Sequence, residues 1–149
     1  MDVDGTLTDG KIYMGEKGEV FKVFDSKDGY AIHDMLPKYG ILPVIITGRK
    51  SNIVENRARE LGITYIYQGV EDKLSLLKEI VQEKELTMVN VAYIGDDISD
   101  LDCMKCCRIK GCPADATPEI KSIANFISSK NGGNGAVREF IEAIIKKRN

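Results

Sequence analysis

Short apolar runs that stop at polar or glycine-rich corners alternate along this chain with stretches of helical periodicity, and that alternation limits the fold more than any other feature. Residues 42–46 form a continuous apolar run ending in Thr47-Gly48-Arg49, and two further apolar-rich stretches read as strands, residues 63–67 before a turn at Gly69 and residues 89–94 ending in Gly95-Asp96-Asp97. Runs of this kind suit parallel strands covered on both faces. Between them lie helical patterns. One covers 28–39, with Ile32, Met35 and Leu36 at helical spacing, Pro37 in its last turn and Gly40 as its stop. Ser51 is placed to cap a helix to residue 61 that Gly62 ends, and residues 72–85 carry Leu74, Leu77, Ile80 and Val81 on one side. Residues 99–107 and 118–124 read as shorter helices, with short strands at 109–111 and 126–127. After the flexible Gly132-Gly133-Asn134-Gly135 segment, Asn134 is placed to cap a closing amphipathic helix through Val137, Phe140, Ile141, Ile144 and Ile145. Strand–helix alternation with short connections predicts an α/β fold: a mostly parallel central sheet with helices on both faces. The sequence has 149 residues, enough for one domain that buries about 70% of its unfolded surface.

The opening segment departs from this rhythm. Residues 12–14 and 20–24 flank Gly15-Glu16-Lys17-Gly18 and read as a β-hairpin inside an insertion of about 11–24, too small to act alone as a lid. A buried central strand normally shows several apolar residues ahead of its functional end, yet only Met1 precedes Asp2. Two readings stand: the sequence begins inside a longer protein, or this strand is short.

Charge excludes several classes of partner. Twenty-one basic and 23 acidic residues are well mixed and give a net charge of −2, with no basic patch for nucleic acid or an anionic membrane. A small-molecule partner is expected. No apolar run reaches membrane-spanning length and the start has no export pattern, so cytoplasmic localisation is the expectation. Cys103, Cys106, Cys107 and Cys112 crowd one segment instead of spreading as a disulfide framework, and are expected to be reduced, small and buried. His33, the single histidine, is read as structural.

The chemistry concentrates at the corners. In Asp2-Val3-Asp4-Gly5-Thr6 two carboxylates stand two residues apart, a spacing that aims both the same way from an extended chain. Gly5 then lets the backbone turn sharply beside an anion or metal. Taken alone, the pattern also occurs in calcium loops and acidic turns. In open parallel sheets, ligands bind beyond the carboxyl ends of the strands. That rule gathers Asp2 and Asp4, Thr47 and Gly48, Lys73, and Asp96, Asp97 and Asp100 on one rim. Five carboxylates in a partly dry cleft must take up protons or hold a cation. A hard divalent ion such as Mg²⁺ suits oxygen ligands, while Lys73, the Thr47 hydroxyl and the Gly48 amide suit a phosphate.

In that order, the segments Asp2-Val3-Asp4-Gly5-Thr6, Ile45-Ile46-Thr47-Gly48-Arg49, Gly69-Val70-Glu71-Asp72-Lys73 and Ile94-Gly95-Asp96-Asp97-x-x-Asp100 resemble the haloacid dehalogenase superfamily of phosphohydrolases. The hairpin in place of a cap domain, and the tail of about 131–149 with its glycines, are similar to the capless group that includes 3-deoxy-D-manno-octulosonate (KDO) 8-phosphate phosphatases and the KDN and N-acylneuraminate 9-phosphate phosphatases. The resemblance implies that Asp2 is the nucleophile and Asp4 the acid and then the base. It also implies that Asp2, the Asp4 carbonyl and Asp96 hold Mg²⁺ with Asp97 and Asp100 in support, and that Thr47, Gly48 and Lys73 hold the phosphate. The implied substrate is a keto-sugar acid phosphate, with KDO 8-phosphate first. The implied assembly is a homotetramer in which hairpin and tail close a neighbour's site, or else the tail is a hinge before a surface helix. Arg49 meets a substrate carboxylate on one reading and is a solvated charge on the other. Asn134 stands where the group's tail commonly has a basic residue, which weakens a charged reach into a neighbour. Two rival classes share parts of this pattern: a non-catalytic assembly module like that appended to CMP-sialate synthetases, in which such acidic motifs decay, and a phosphoacceptor signalling domain, which lacks the second Asp. The intact motifs and Asp4 argue against both.

Overall fold

The computed structural model describes residues 1–148. Its opening loop leads into a hairpin, β1 (Tyr13–Gly15) paired antiparallel with β2 (Gly18–Phe21), whose base is extended by a bridge between Thr8 and Phe24. Helix α1 (Ser26–Tyr30) follows, then β3 (Val44–Thr47), α2 (Asn52–Glu60), β4 (Tyr65–Gln68), α3 (Lys73–Glu83) and β5 (Ala92–Ile94). The chain finishes with α4 (Leu101–Cys106), β6 (Ile109–Cys112), α5 (Pro118–Ile123), β7 (Phe126–Ile127) and α6 (Ala136–Arg148). Boundaries differ from the periodicity reading by a few residues. Residues 88–90 turn as a 3₁₀ segment before β5, and residues 98–100 do so before α4.

Two parallel ladders, β3–β4 and β5–β6–β7, are joined by the first two residues of the chain. The Met1 amino group donates to the Val44 carbonyl at 2.8 Å and the Ile46 amide donates to the Met1 carbonyl at 3.0 Å, which is a parallel register. The Asp2 amide then donates to the Ile94 carbonyl at 3.1 Å. Met1 and Asp2 thus occupy the central position of the sheet between β3 and β5, which brings Asp2 to the carboxyl-end rim.

Both faces of the sheet are covered. Successive residues alternate sides: Ile45 and Ile94 join a core with Val54 and Ala58 of α2 and Val137, Phe140, Ile141, Ile144 and Ile145 of α6. Ile46 and Tyr93 join the opposite core with Leu77, Ile80 and Val81 of α3, Met104 of α4 and Ile120 of α5. Cys103, Cys107 and Cys112 lie in this second core with burial pushing their thiols up to about 11, 12 and 11, whereas Cys106 is exposed, against expectation. His33 also lies at the surface, 3.3 Å from Asp34.

Three helix starts and stops differ from the local reading, the first because of Pro37 and the other two because another partner takes over. The 28–39 helix is broken into α1, a wide five-residue turn (Ala31–Met35) and a 3₁₀ segment (Leu36–Tyr39) ending at Gly40 with φ +60°. Pro37 lacks the N–H a regular helix needs and its ring crowds the carbonyl four residues back, so the turn widens and the Leu36 amide reaches the Ala31 carbonyl. Asp25 caps this region, accepting from the Lys27 and Asp28 amides. Ser51 makes no side-chain cap for α2, because its hydroxyl donates to Glu19 Oε2 of the hairpin at 2.6 Å. Asn134 does not cap α6 either: its side-chain amide donates to the Gly132 carbonyl, and the Arg138 amide donates to Asp28 Oδ1 at 2.7 Å.

Asp28 is therefore a cap supplied from across the fold. Its carboxyl is buried, and burial raises its pKa to about 6 against the opposing pull of the Arg138 amide. A carboxyl with a raised folded-state pKa binds its proton more tightly in the native protein, so its contribution to stability is full below about pH 4 and is lost as pH rises through about 6. Two pH units correspond to on the order of 3 kcal/mol. Asp28→Asn keeps an acceptor for Arg138 without the charge, and is expected to remove this pH dependence and to raise the melting temperature at pH 7.5 but not at pH 4; calorimetric melts of both proteins across that range check it.

Candidate active site

The loop after Asp2 is a tight turn around one carbonyl. The amides of Thr6, Leu7 and Thr8 all point to the Val3 carbonyl at 2.9–3.1 Å, and the Thr8 hydroxyl oxygen accepts from the Gly5 and Gly10 amides. Gly5 stands at φ +93°, and a Cβ there would overlap the carboxylate of Asp96. The glycine is what allows the loop after Asp2 and the acidic corner after β5 to meet.

The meeting produces a buried ionic cluster. Lys73, the first residue of α3, places Nζ 2.8 Å from Asp2 Oδ1 and 2.8 Å from Asp100 Oδ1. Asp100 also accepts from the Tyr93 hydroxyl at 2.8 Å and, on its other oxygen, from the Asp96 amide at 3.1 Å. The Thr6 hydroxyl donates to Asp96 Oδ1 at 3.0 Å. Oxygens of Asp2, Asp96 and Asp100 lie within 4.8 Å of one another. Burial, then the Asp100 charge, raise the Asp2 pKa despite Lys73. Burial and the Asp2 charge push Asp96 up to about 8. Burial works against the Lys73 charge, but Asp2 and Asp100 outweigh it and its pKa is raised.

The rim holds the expected residues, but not as one five-carboxylate cluster. Three side chains converge. Asp97 is exposed and bonds the Ile98 amide of its own turn at 2.7 Å. Asp4 turns to the hairpin, where Lys22 Nζ lies 2.5 Å from its Oδ1. Thr47 is buried at the end of β3 beside Met1 and Asp2, Gly48 is exposed just after it, and the Val70 amide donates to the Thr47 carbonyl. Arg49 is half exposed, 3.9 Å from Glu19. Sequence reasoning overlooked Lys22, Glu19, Thr6 and Tyr93; a lysine and a glutamate within the apolar hairpin were the available signal.

The tail glycines have a specific place. A Cβ at Gly132 would overlap the Gly5 carbonyl, and one at Gly133 would collide with the Thr8–Asp9 backbone. The Gly133 amide donates to the Thr6 carbonyl at 3.2 Å and the Gly132 amide to Asp115 at 2.9 Å. The segment braces the Asp2–Asp9 loop of its own chain.

Comparison with known proteins agrees with this geometry. Residues 63–141 match the model of the haloacid dehalogenase-like hydrolases. The chain is 41% identical over 145 residues to the 3-deoxy-D-manno-octulosonate 8-phosphate phosphatase KdsC of Escherichia coli, spanning 97% of this chain and 77% of that protein. It belongs to the haloacid dehalogenase-like hydrolases. Among solved members of this hydrolase family, the KDO 8-phosphate phosphatase of Moraxella catarrhalis, in complex with magnesium, phosphate and KDO, superposes with a TM-score of 0.93 at 40% identity, covering 98% of this chain and 83% of that one. The Yersinia pestis enzyme superposes at 0.93 with 42% identity, covering 97% and 78%. The haloacid dehalogenase fold expected from the corners is thereby shown.

Proposed function

We propose that this protein is a Mg²⁺-dependent phosphomonoesterase whose substrate is 3-deoxy-D-manno-octulosonate 8-phosphate. The observation that carries the reading is the cluster of Asp2, Asp96 and Asp100 around Lys73. Three carboxylates against one ammonium leave a deficit of two charges among these side chains, in an all-oxygen site, which suits one hard divalent cation. Asp2, the Asp4 carbonyl and Asp96 would hold it, with Asp100 behind and Asp97 bracing the turn. Bound there, Mg²⁺ would withdraw charge from phosphate oxygens.

The chain's own residues then divide the work. An Asp2 oxygen attacks phosphorus as the ester bond breaks, and Asp4 gives its proton to the departing alcohol. Asp4 next removes a proton from water, which attacks the aspartyl phosphate, releases phosphate and regenerates the Asp2 carboxylate. Lys73, Thr47 and the Gly48 amide hold the phosphate oxygens, and the partly exposed Arg49, 3.9 Å from Glu19, is placed to meet a sugar-acid carboxylate. The similarity to KDO 8-phosphate phosphatases over nearly the whole chain favours that substrate over KDN or N-acylneuraminate 9-phosphate. Phosphate release from all three, with and without Mg²⁺, tests the assignment. Fastest turnover of a nine-carbon ester would overturn the substrate, and no turnover at all would favour a non-catalytic module.

Metal binding has its own readout. With Asp96 pushed up to about 8 and Asp2 raised as well, the metal-free cluster keeps a proton at pH 7 that the cation must displace. Calorimetric Mg²⁺ titrations in buffers of different ionisation enthalpy are expected to show about one proton released per ion at pH 7 and little above pH 9. The apparent affinity falls as pH drops below about 8.

The hairpin exposes Ile12, Met14, Val20, Phe21 and Val23, an apolar surface that supports the tetramer, which sedimentation would register as four chain masses. No described helix is long and apolar enough to cross a membrane. Four unpaired cysteines accord with a cytoplasmic setting.

A further inference from the structure

We infer that Lys22 of the hairpin is a positioning residue for Asp4, and that the hairpin thereby sets the proton donor and acceptor of its own chain's site. The inference rests on the phosphatase reading above.

Lys22 immediately follows β2, on a hairpin whose neighbouring side chains Val20, Phe21 and Val23 face solvent. It does the opposite. Its side chain is only 1% exposed, although burying an ammonium is costly unless it is closely paired. The pairing is with Asp4 Oδ1 at 2.5 Å and Glu19 Oε1 at 2.8 Å. Glu19 is itself fixed: its other oxygen accepts from the Ser51 hydroxyl at 2.6 Å, the bond that withdrew Ser51 from capping α2, and Arg49 stands 3.9 Å away. A chain of contacts therefore runs Ser51, Glu19, Lys22, Asp4, tying the hairpin to the corner after β3 on one side and to the opening loop on the other. With Arg49 beside Glu19, two carboxylates and two cations balance here, whereas the Asp2–Asp96–Asp100 cluster does not. The molecule keeps two separate ionic groups on the rim, one suited to a metal and one that orients a side chain.

A carboxyl that must serve first as acid and then as base has to face the ester oxygen in both half-reactions, and a fraction of an ångström of drift is expensive. Asp4 sits on a loop, where nothing else among the described contacts holds its side chain: its hydrogen bond is to Lys22. Lys22 supplies that fixed point from a buried, doubly tethered ammonium. With its side chain only 1% exposed and its ammonium held between Asp4 and Glu19, its role is orientation and not capture of substrate.

The leaving group provides the test. A sugar alkoxide needs a proton to depart, whereas p-nitrophenolate leaves without one, and general acid catalysis contributes typically about 10²–10⁴-fold when it is required. Lys22→Met should therefore lower kcat/KM for KDO 8-phosphate at least about tenfold more than kcat/KM for p-nitrophenyl phosphate, because that quantity reports the step in which the alcohol departs and not the later hydrolysis, where Asp4 serves both esters alike. The ratio of the two kcat/KM values is the same whatever fraction of the variant folds, so partial misfolding does not mask the result. Glu19→Gln, which loosens Lys22 without removing it, should move the ratio in the same direction by less. An equal loss of kcat/KM on both esters, or a raised KM for the sugar phosphate with kcat preserved, would overturn the positioning role. Wild-type protein inactive on both esters would overturn the phosphatase reading and this inference with it, whereas active wild type with an unchanged ratio overturns this inference alone.

Discussion

Replacing Asp2 with Asn should lower phosphate release by on the order of 10⁴-fold or more while leaving the fold in place. The amide has the size of the carboxyl and keeps an oxygen for the Lys73 ammonium, which lies 2.8 Å from Asp2 Oδ1. What it lacks is an anionic oxygen able to bond phosphorus. Because Asp2 is buried and its charge is disfavoured by burial and by Asp100, the substitution also relieves the metal-free site. The variant is therefore expected to melt no lower than the parent in the presence of a chelator, and above it if that relief dominates. Phosphate assays and melts on the same preparation separate the two effects. An Asn variant retaining one per cent of the parental rate would remove Asp2 from the nucleophile's position, and a lost fold would make the loss of rate uninformative about chemistry.

The corners at which chemistry gathers could be read from the chain because each is a local event: a strand ends, and a polar residue or glycine follows. Asp2, Thr47, Lys73, Asp96 and Asp100 reach one rim because the ends of parallel strands share an edge, and the sheet order that the structure displays is the one such alternation favours. Which carboxylates then face one another was a tertiary matter. Asp97 and Asp100 are three residues apart on one turn, yet only Asp100 is fully buried, because the Tyr93 hydroxyl and Lys73 ammonium lie beneath it. Asp4 is turned by a lysine 18 residues away.

The same distinction explains the capping errors. Ser51 and Asn134 have good local chemistry for caps, but hydrogen bonds to Glu19 and to the Gly132 carbonyl were available once the fold formed. Asp28, read as the beginning of a helix, instead holds the start of α6, 110 residues away in sequence. The glycines of the tail looked like a hinge because composition cannot distinguish freedom from crowding. At Gly132 and Gly133 the smallest residue is required because the opening loop's backbone lies against them. The central position of the sheet was hard to place from pattern, because only Met1 and Asp2 mark it and their place depends on backbone bonds to Val44, Ile46 and Ile94.

Lys73→Met should be among the most destabilising single changes available, at about 3–5 kcal/mol, since removing one partner leaves buried charges uncompensated. Asp2 is 6% exposed and Asp100 is fully buried, and the Lys73 ammonium is 2.8 Å from each. For a chain of this size the loss corresponds to a melting temperature lower by roughly 10–20 °C. Two conditions should return part of it. Saturating Mg²⁺ would replace the missing charge, and a ligand at 100 times its dissociation constant adds about 2.7 kcal/mol to the form that binds it. Lower pH should act in the same direction, because Asp2 and Asp96, whose pKa values are raised, take up protons and the repulsion subsides. The gap between parent and variant is therefore expected to be widest in chelator above about pH 8 and to narrow below it. Adding Asp100→Asn to the lysine variant removes the carboxylate left stranded, so the double substitution should be less damaging than the sum of the two singles. A single-variant loss under 1 kcal/mol that ignores pH, metal and the second substitution would mean that Lys73 does not neutralise this cluster.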